Sequence, residues 1–409
     1  MATRSDTPPT GARTREARPP APARTLALDG LRAVLVSAVL VYHLAGGRLP
    51  VATGEVAVVV FFALSGYLIT RLLVRERRAT GRIDLAGFYG NRARRLLPPL
   101  ALLLGVWLAV ALVWSGSAWL TSVPGGGPGH PIGTWTDLET VAAAATYVTN
   151  WLDAFPHLHL WVGYSPLGHL WTLAVEEQFY LLWAPVVLVL ARFRRSPLVV
   201  LLVGLAFLAE PFGLAGSPFN RVYFGTDARV GALLLGAAAG WWRAEHPVAR
   251  RAAGSNRAAL LAGSGVAVAA AACLVVAGVG EAHTGERTWW VGATALASLA
   301  GTVLVVVVAE ERGRLSTVLA HPVLVWLGRR SYAAYLWGYV FNTWFRSLGL
   351  ATAPLVVACT FAAAELSYRT VEVPYRRRHR RQARPAPGPR PEPPGADRRT
   401  RERALVLTP

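Results

Sequence analysis

A series of apolar runs, each about 20 residues long and nearly free of charge, limits this chain more than any other feature. A helix of that length spans a hydrocarbon core about 30 Å thick. Ten runs can be placed, at 27–46, 54–74, 96–114, 169–191, 197–215, 225–242, 258–280, 289–309, 331–347 and 350–372. Of the 409 residues, 53% are apolar and 16% charged. A soluble domain carries roughly 25% charged residues. The expected fold class is therefore all-α, a polytopic membrane protein with about ten transmembrane helices. The same composition excludes collagen-like and disordered chains.

The net charge is +19, and all 42 basic residues are Arg. With abundant Ala, Gly, Pro and Val, the Arg surplus reads as the habit of a GC-rich bacterial coding sequence. The basic residues flank apolar runs, so membrane topology explains them better than nucleic-acid binding. The loop 75–95 holds Arg75, Arg77, Arg78, Arg82, Arg92, Arg94 and Arg95. Further Arg clusters fall on alternate loops, near 192–195, 243–257 and 312–330, whereas 115–168 has no Arg. By the positive-inside rule, the chain is a multi-pass cell-membrane protein with both termini cytoplasmic and 115–168 outside.

Residues 1–25, with five Arg among Pro, Ala and Thr, read as a disordered basic cytosolic tail. Residues 26–375 form one ten-helix membrane domain, with 115–168 as its outer loop region. Residues 376–409 are rich in Arg and Pro and read as a second disordered cytosolic tail, with no soluble catalytic domain. Segment 138–155 is Ala-rich and ambiguous. Counted as a span, it would put the later Arg clusters outside, so an outer-face or re-entrant helix is expected. A signal-peptide reading of the first run is disfavoured, because no small-residue cleavage pattern follows it. Cys273 and Cys359 sit in apolar runs and read as small hydrophobes. Neither a disulfide framework nor a zinc spacing is present, and no metal is expected.

Ionisable residues inside spans are costly and so become candidates for function. The first run carries Asp29, Arg32 and His43. Eleven residues place Arg32 and His43 on one helix face, about 16 Å apart in rise. Asp29 lies one turn from Arg32, within ion-pair reach. The alternative is a capping Asp, a snorkelling Arg and a polar helix end. A second signal is the run Phe88-Tyr-Gly-Asn-Arg-Ala-Arg-Arg-Leu-Leu-Pro-Pro99. Arg92, Arg94 and Arg95 at the start of the third span suit phosphate binding, or serve only as a topological anchor. A third is Gly168-His-Leu-Trp-Thr-Leu-Ala-Val-Glu-Glu-Gln-Phe-Tyr180. His169, Thr172 and Glu176 share a face there. Glu176 and Glu177 point about 100° apart, so one can be catalytic while the other is structural. Asp227 and Arg229 open the sixth span and are candidates to pair across helices. Asn150 and Trp151 sit on the outer segment, the Trp as a candidate interface anchor. Gly328-Arg-Arg-Ser-Tyr332 opens the ninth span, and Gly66 lets helices approach closely.

These motifs follow one another in a familiar order. Leu28-Asp-Gly-Leu-Arg-Ala33, the ten residues between Arg32 and His43, Val60-Phe-Phe-Ala-Leu-Ser-Gly-Tyr-Leu-Ile-Thr70, Phe88-Tyr…Arg-Arg-Leu-Leu-Pro98 and His169-Leu-Trp-Thr-Leu-Ala-Val-Glu-Glu-Gln-Phe-Tyr180 resemble the acyltransferase 3 family of integral membrane acyltransferases. The likeness continues through Asp227-Ala-Arg229, Gly328-Arg-Arg-Ser-Tyr-Ala-Ala-Tyr-Leu-Trp337 and Val371-Glu-Val-Pro374. The resemblance implies about ten spans and transfer of an acyl group, often acetyl, to a hydroxyl. It carries the Arg-ten-His motif onto Arg32 and His43, the Arg-x-Arg motif onto Arg92 and Arg94, and the family Glu onto Glu176, with Glu177 beside it. Two departures stand out. The family's Trp-His late in the ninth span is Trp337-Gly338 here, and its Val-Glu-Arg/Lys-Pro is Val371-Glu-Val-Pro374.

The expected activity is an O-acyltransferase reaction. No bound cofactor is implied, and acyl-CoA, with acetyl-CoA the first choice, enters as co-substrate. Its phosphates meet Arg32, Arg92, Arg94 and Arg95 at the cytosolic face. His43 is the expected general base, with Glu176 orienting and offsetting the imidazole. Asp29, Asn150, Trp151, His169, Trp171, Tyr180, Asp227 and Arg229 complete the candidate substrate-binding set. The acceptor class is a glycan, a glycolipid or a small natural product, within the lipid bilayer setting. The competing readings are a multi-span transporter without chemistry and a membrane scaffold. No internal repeat with paired broken helices supports the first.

Overall fold

The computed structural model describes residues 23–45, 48–49, 51–113, 134–155, 166–193, 196–214, 217–246, 287–310, 314–345 and 350–375. Residues 1–22 of the first expected tail, the second tail from 376, the expected span 258–280, and 114–133 and 156–165 of the outer region lie outside the described residues.

All regular structure among the described residues is helical. In chain order it runs α1 (Ala23–Leu44), α2 (Val51–Thr80), α3 (Leu85–Val113), α4 (Thr134–Ala145), α5 (Thr149–Ala154), a 3-10 turn (Gly168–Leu170) and α6 (Trp171–Leu190). It continues with α7 (Ser196–Gly213), α8 (Phe219–Phe224), α9 (Thr226–Glu245), α10 (Arg287–Glu310), α11 (Arg314–Leu319), α12 (Pro322–Arg329) and α13 (Ser331–Phe345). The last elements are a 3-10 turn (Leu350–Thr352), α14 (Ala353–Ser367) and a π-turn (Tyr368–Glu372). Among the described residues, five stretches are long and apolar enough to cross a membrane: Leu26–Leu44, Gly54–Thr80, Leu85–Val110, Gly168–Leu190 and Val291–Ala309.

The helix α2 is the centre of the bundle. It packs on α9, α10, α1 and α6. Its contact with α9 is close because small residues face each other. A β-carbon at Gly66 would collide with the Leu233 carbonyl oxygen, and one at Gly236 with that of Ala63. Without a hydrophobic drive between helices in lipid, backbone-to-backbone packing of this kind holds spans together. Buried Phe62, Val175, Phe179, Leu233 and Trp241 fill one core around α2, α6 and α9. Leu103, Trp107, Leu173, Leu336 and Val340 fill a second between α3, α6 and α13.

The third expected span begins eleven residues early. Asp84 accepts the Gly87 N–H through Oδ1 at 2.9 Å, which caps the new helix. Buried Phe88 and partly buried Tyr89 then anchor it on the core. Arg92, Arg94 and Arg95 thus belong to the body of α3, and the expected loop 75–95 shrinks to the turn after Thr80. The ambiguous outer segment forms two short helices, neither long enough to span. They meet at Tyr147, which adopts the left-handed backbone with φ 57°.

Candidate active site

A cavity of about 330 Å³ opens at the His43 end of α1. Tyr42 and His43 line one side, with Gly54 and Val58 of α2. His169, Trp171 and Thr172 line a second, and Tyr223 and Phe224 of α8 a third. Tyr335, Tyr339 and Asn342 complete it from one face of α13. The Tyr339 ring stands between the two imidazoles, 4.7 Å from His43 and 4.9 Å from His169, centre to centre. His169 is 5% exposed. Neither of its ring nitrogens closes a hydrogen bond within the described residues, although the Leu336 and Pro166 carbonyls act on the ring. The Tyr335 hydroxyl donates to the His169 carbonyl and meets the Thr172 hydroxyl at 2.5 Å, pinning the turn that presents the imidazole.

Below the cavity, three consecutive side chains tie α6 to three neighbours, as the 100° step of a helix requires. Glu176 accepts from the Ser65 hydroxyl of α2 at 2.5 Å. Glu177 accepts from Arg92 Nη2 of α3 at 2.8 Å, and that guanidinium covers the Tyr180 ring at 3.4 Å. Gln178 donates to the Tyr147 carbonyl at 2.7 Å and to Asn150 Oδ1 at 2.9 Å. Its own oxygen accepts from Trp151 Nε1 at 3.2 Å and from Thr226 Oγ1 at 2.5 Å. Asn150 then donates to the Phe224 carbonyl and to Thr226. This network seats the outer segment on α6, α8 and α9.

Behind the cavity wall lies an ion pair closed to solvent. Arg229 Nη1 of α9 donates to Glu55 of α2, and Arg229 Nε donates to the Tyr223 carbonyl at 2.6 Å. The guanidinium stands 4.7 Å from the Tyr223 ring centre and 5.4 Å from that of Trp171. Arg221 pairs with Asp227 nearby, and that carboxylate pushes the Arg221 guanidinium up from its ordinary value.

At the other end of α1, Arg32 donates to Asp29 at 2.9 Å, and Arg329 Nε approaches Asp29 at 3.7 Å. The α1–α12 contact is as tight as the one at Gly66, because a β-carbon at Gly328 would meet the Asp29 carbonyl. Arg94 Nη2 reaches Asn91 at 3.4 Å, and Arg95 is exposed.

Of the residues singled out from sequence, His43, His169, Trp171 and Thr172 line the cavity. Several others are placed differently from expectation. Asp227 pairs with Arg221, only six residues away, on the short neighbouring helix α8. Arg229 does pair across helices. Asn150 is fully buried, and its amide serves the network above instead of lining the cavity. Trp151 donates into the same network. Glu176 meets Ser65, about one turn down α6 from Thr172 of the cavity wall. Arg92 turns inward to Glu177. Sequence reasoning missed Glu55, Ser65, Tyr223 and the Tyr335–Tyr339–Asn342 face. Glu55 carried a usable signal, a carboxylate at the head of an apolar run. The i, i+4, i+7 spacing of the α13 face was another.

The acyltransferase 3 (Acyltransferase domain) family matches residues 25–367, most of the chain and every element of this site. The chain belongs to this family. Among similar proteins, the peptidoglycan O-acetyltransferase OatA of Listeria monocytogenes is 32% identical over 372 residues, covering 86% of this chain and 55% of the relative. The O-acetyltransferase OatA of Staphylococcus aureus (strain NCTC 8325 / PS 47) is 30% identical over 376 residues, covering 86% of this chain and 57% of the relative. This acyltransferase 3 member thus spans little more than half the length of those relatives. No solved structure matches the chain. Gly338, where the family often has His, packs against Leu40 of α1, whose side chain occupies the space a β-carbon would need.

Proposed function

We propose that this chain is a membrane O-acyltransferase that moves an acyl group, acetyl first among the candidates, from cytosolic acyl-CoA to a hydroxyl on the outer side. The observation that carries the reading is one helix with chemistry at both ends. The cavity with His43 and His169 lies at one end of α1, and the Asp29–Arg32 pair at the other. The names of the OatA relatives, one of which names peptidoglycan, favour a glycan over a glycolipid or a natural product as acceptor. The topology that goes with this is ten spans over 26–375, both termini cytoplasmic and 115–168 outside.

In this reading the phosphates of acyl-CoA meet Arg32, Arg94 and Arg95, with Arg92 behind them. Asp29 fixes Arg32. The thin pantetheine arm follows the α1 face and brings the thioester to the cavity. The acceptor oxygen attacks the thioester carbonyl carbon while His43 takes the hydroxyl proton. The C–S bond then breaks, and the CoA thiolate leaves and recovers that proton. His169, Trp171 and the α13 face bind the acceptor. Glu176, held by Ser65, offsets the imidazolium from below, and Glu177 keeps Arg92 and Tyr180 in place. Asn150, Trp151, Asp227 and Arg229 act on the substrates through the walls they hold.

The test is label transfer from radioactive acetyl-CoA by the full chain in proteoliposomes, with saccharides supplied outside. Wild type should label an acceptor and His43→Ala should not. Equal labelling by both would overturn the assignment of His43. No labelling, with a folded sample, would overturn the activity.

A further inference from the structure

We infer that the buried Glu55–Arg229 pair is a positioning device for the acceptor subsite, holding Trp171 and Tyr223 as a platform for a neutral sugar ring. The inference rests on the transfer reading above and deepens it.

Three observations lead to it. First, the pair sits directly behind the cavity. Gly54 lines the cavity one residue before Glu55, and the Arg229 guanidinium covers two rings, Trp171 and Tyr223, that form its wall. Attraction between the cation and those rings fixes their tilt, and the Nε bond to the Tyr223 carbonyl fixes the backbone of α8. Second, both side chains are closed to water, with relative exposures of 2% and 0%. Burial of an ion pair costs about as much as the pairing returns, and apolar residues of the same volume often serve stability as well. Stability alone therefore gives little reason for charge at this place, whereas defined ring geometry gives one. Third, among the described residues the cavity lining holds aromatic rings, two imidazoles, an amide and hydroxyls, but no carboxylate or guanidinium. Among these described residues a charged acceptor group finds no carboxylate or guanidinium to pair with. A pyranose ring, with apolar C–H faces and hydroxyl edges, matches aromatic walls rimmed by Asn342 and Thr172.

The experiment compares wild type, a Glu55→Leu/Arg229→Met double variant and Arg229→Lys in proteoliposomes. Acetyl-CoA is the donor. The acceptors are neutral N-acetylhexosamine oligosaccharides and, separately, a uronic-acid oligosaccharide. The double variant should melt close to wild type. Its KM for the neutral acceptor should rise about tenfold, with kcat and the acetyl-CoA KM changed by about twofold or less. Arg229→Lys, which keeps the charge but loses the fork, should raise the same KM by a smaller factor. A folded double variant with an unchanged acceptor KM would overturn the inference, as would a fall in kcat alone. If the double variant does not fold, an unchanged acceptor KM in Arg229→Lys overturns it. Preference of wild type for the uronic-acid acceptor overturns the neutral-ring class. Wild type that labels none of these saccharides removes the transfer reading itself, a failure distinct from that of the pair.

Discussion

Glu177 of α6 and Arg92 of α3 meet at 2.8 Å, with the Arg92 guanidinium stacked on Tyr180. The two side chains are only 16% and 18% exposed, so each charge depends on the other. Removing one partner strands a mostly buried charge, a loss of about 3 kcal/mol. Arg92→Ala should therefore lower the thermal midpoint of the detergent-purified protein clearly. Arg92→Met combined with Glu177→Leu should recover most of it. Equal midpoints for Arg92→Ala and wild type would show that the pair contributes little.

His43 stands on the cavity rim, with its ring 4.7 Å from that of Tyr339. The loss of a positioned general base costs about 10²- to 10⁴-fold in rate. His43→Ala should lose transfer to that extent and still be stabilised by acetyl-CoA, because the proposed phosphate site lies at the far end of α1. Label transfer and a thermal shift on the same preparation check both halves. A variant that loses the thermal shift as well would place His43 in donor binding instead.

Much of this arrangement can be read from the chain. The apolar runs give the helices, and Asp29–Arg32 pair as their spacing requires. Gly66 sits where α2 and α9 touch. Partners distant in sequence are less legible. Nothing local to Ser65 says that it meets Glu176, 111 residues away. Glu55 and Arg229 are 174 residues apart and find each other only through the α2–α9 contact. Periodicity reports which face of a helix is apolar, but not which helix covers it. The early start of α3 was masked by charge. Hydropathy starts the span at Leu96, while the Asp84 cap and buried Phe88 extend the helix back to Leu85.

Gln178 gives a prediction about the outer segment. Its amide satisfies the Tyr147 carbonyl, Asn150, Trp151 and Thr226 at once. Gln178→Leu leaves those groups without their partner, at about 1–3 kcal/mol for a buried polar group left unsatisfied. Amide exchange should then rise in 134–155 and stay low in α2 and α9. Uniform protection across the outer segment would show that α5 is held by packing alone.

The last prediction concerns the donor end. A ligand that binds only the native state stabilises it, by about 2.7 kcal/mol at a hundredfold excess over its Kd. Arg94 and Arg95 follow Arg92 on α3 and are the proposed partners of the acyl-CoA phosphates, whereas Arg92 is already committed to Glu177. Acetyl-CoA should therefore raise the thermal midpoint of the wild-type protein, and Arg94→Ala/Arg95→Ala should lose most of that rise. Each shift is read against the same protein's own midpoint without ligand, so a change in basal stability does not enter the comparison. Raising the salt concentration should weaken the shift, since partly exposed guanidinium–phosphate contacts are screened. Full stabilisation of the double variant would move the phosphate site to Arg32 and Arg329, the cations around Asp29 at the end of α1.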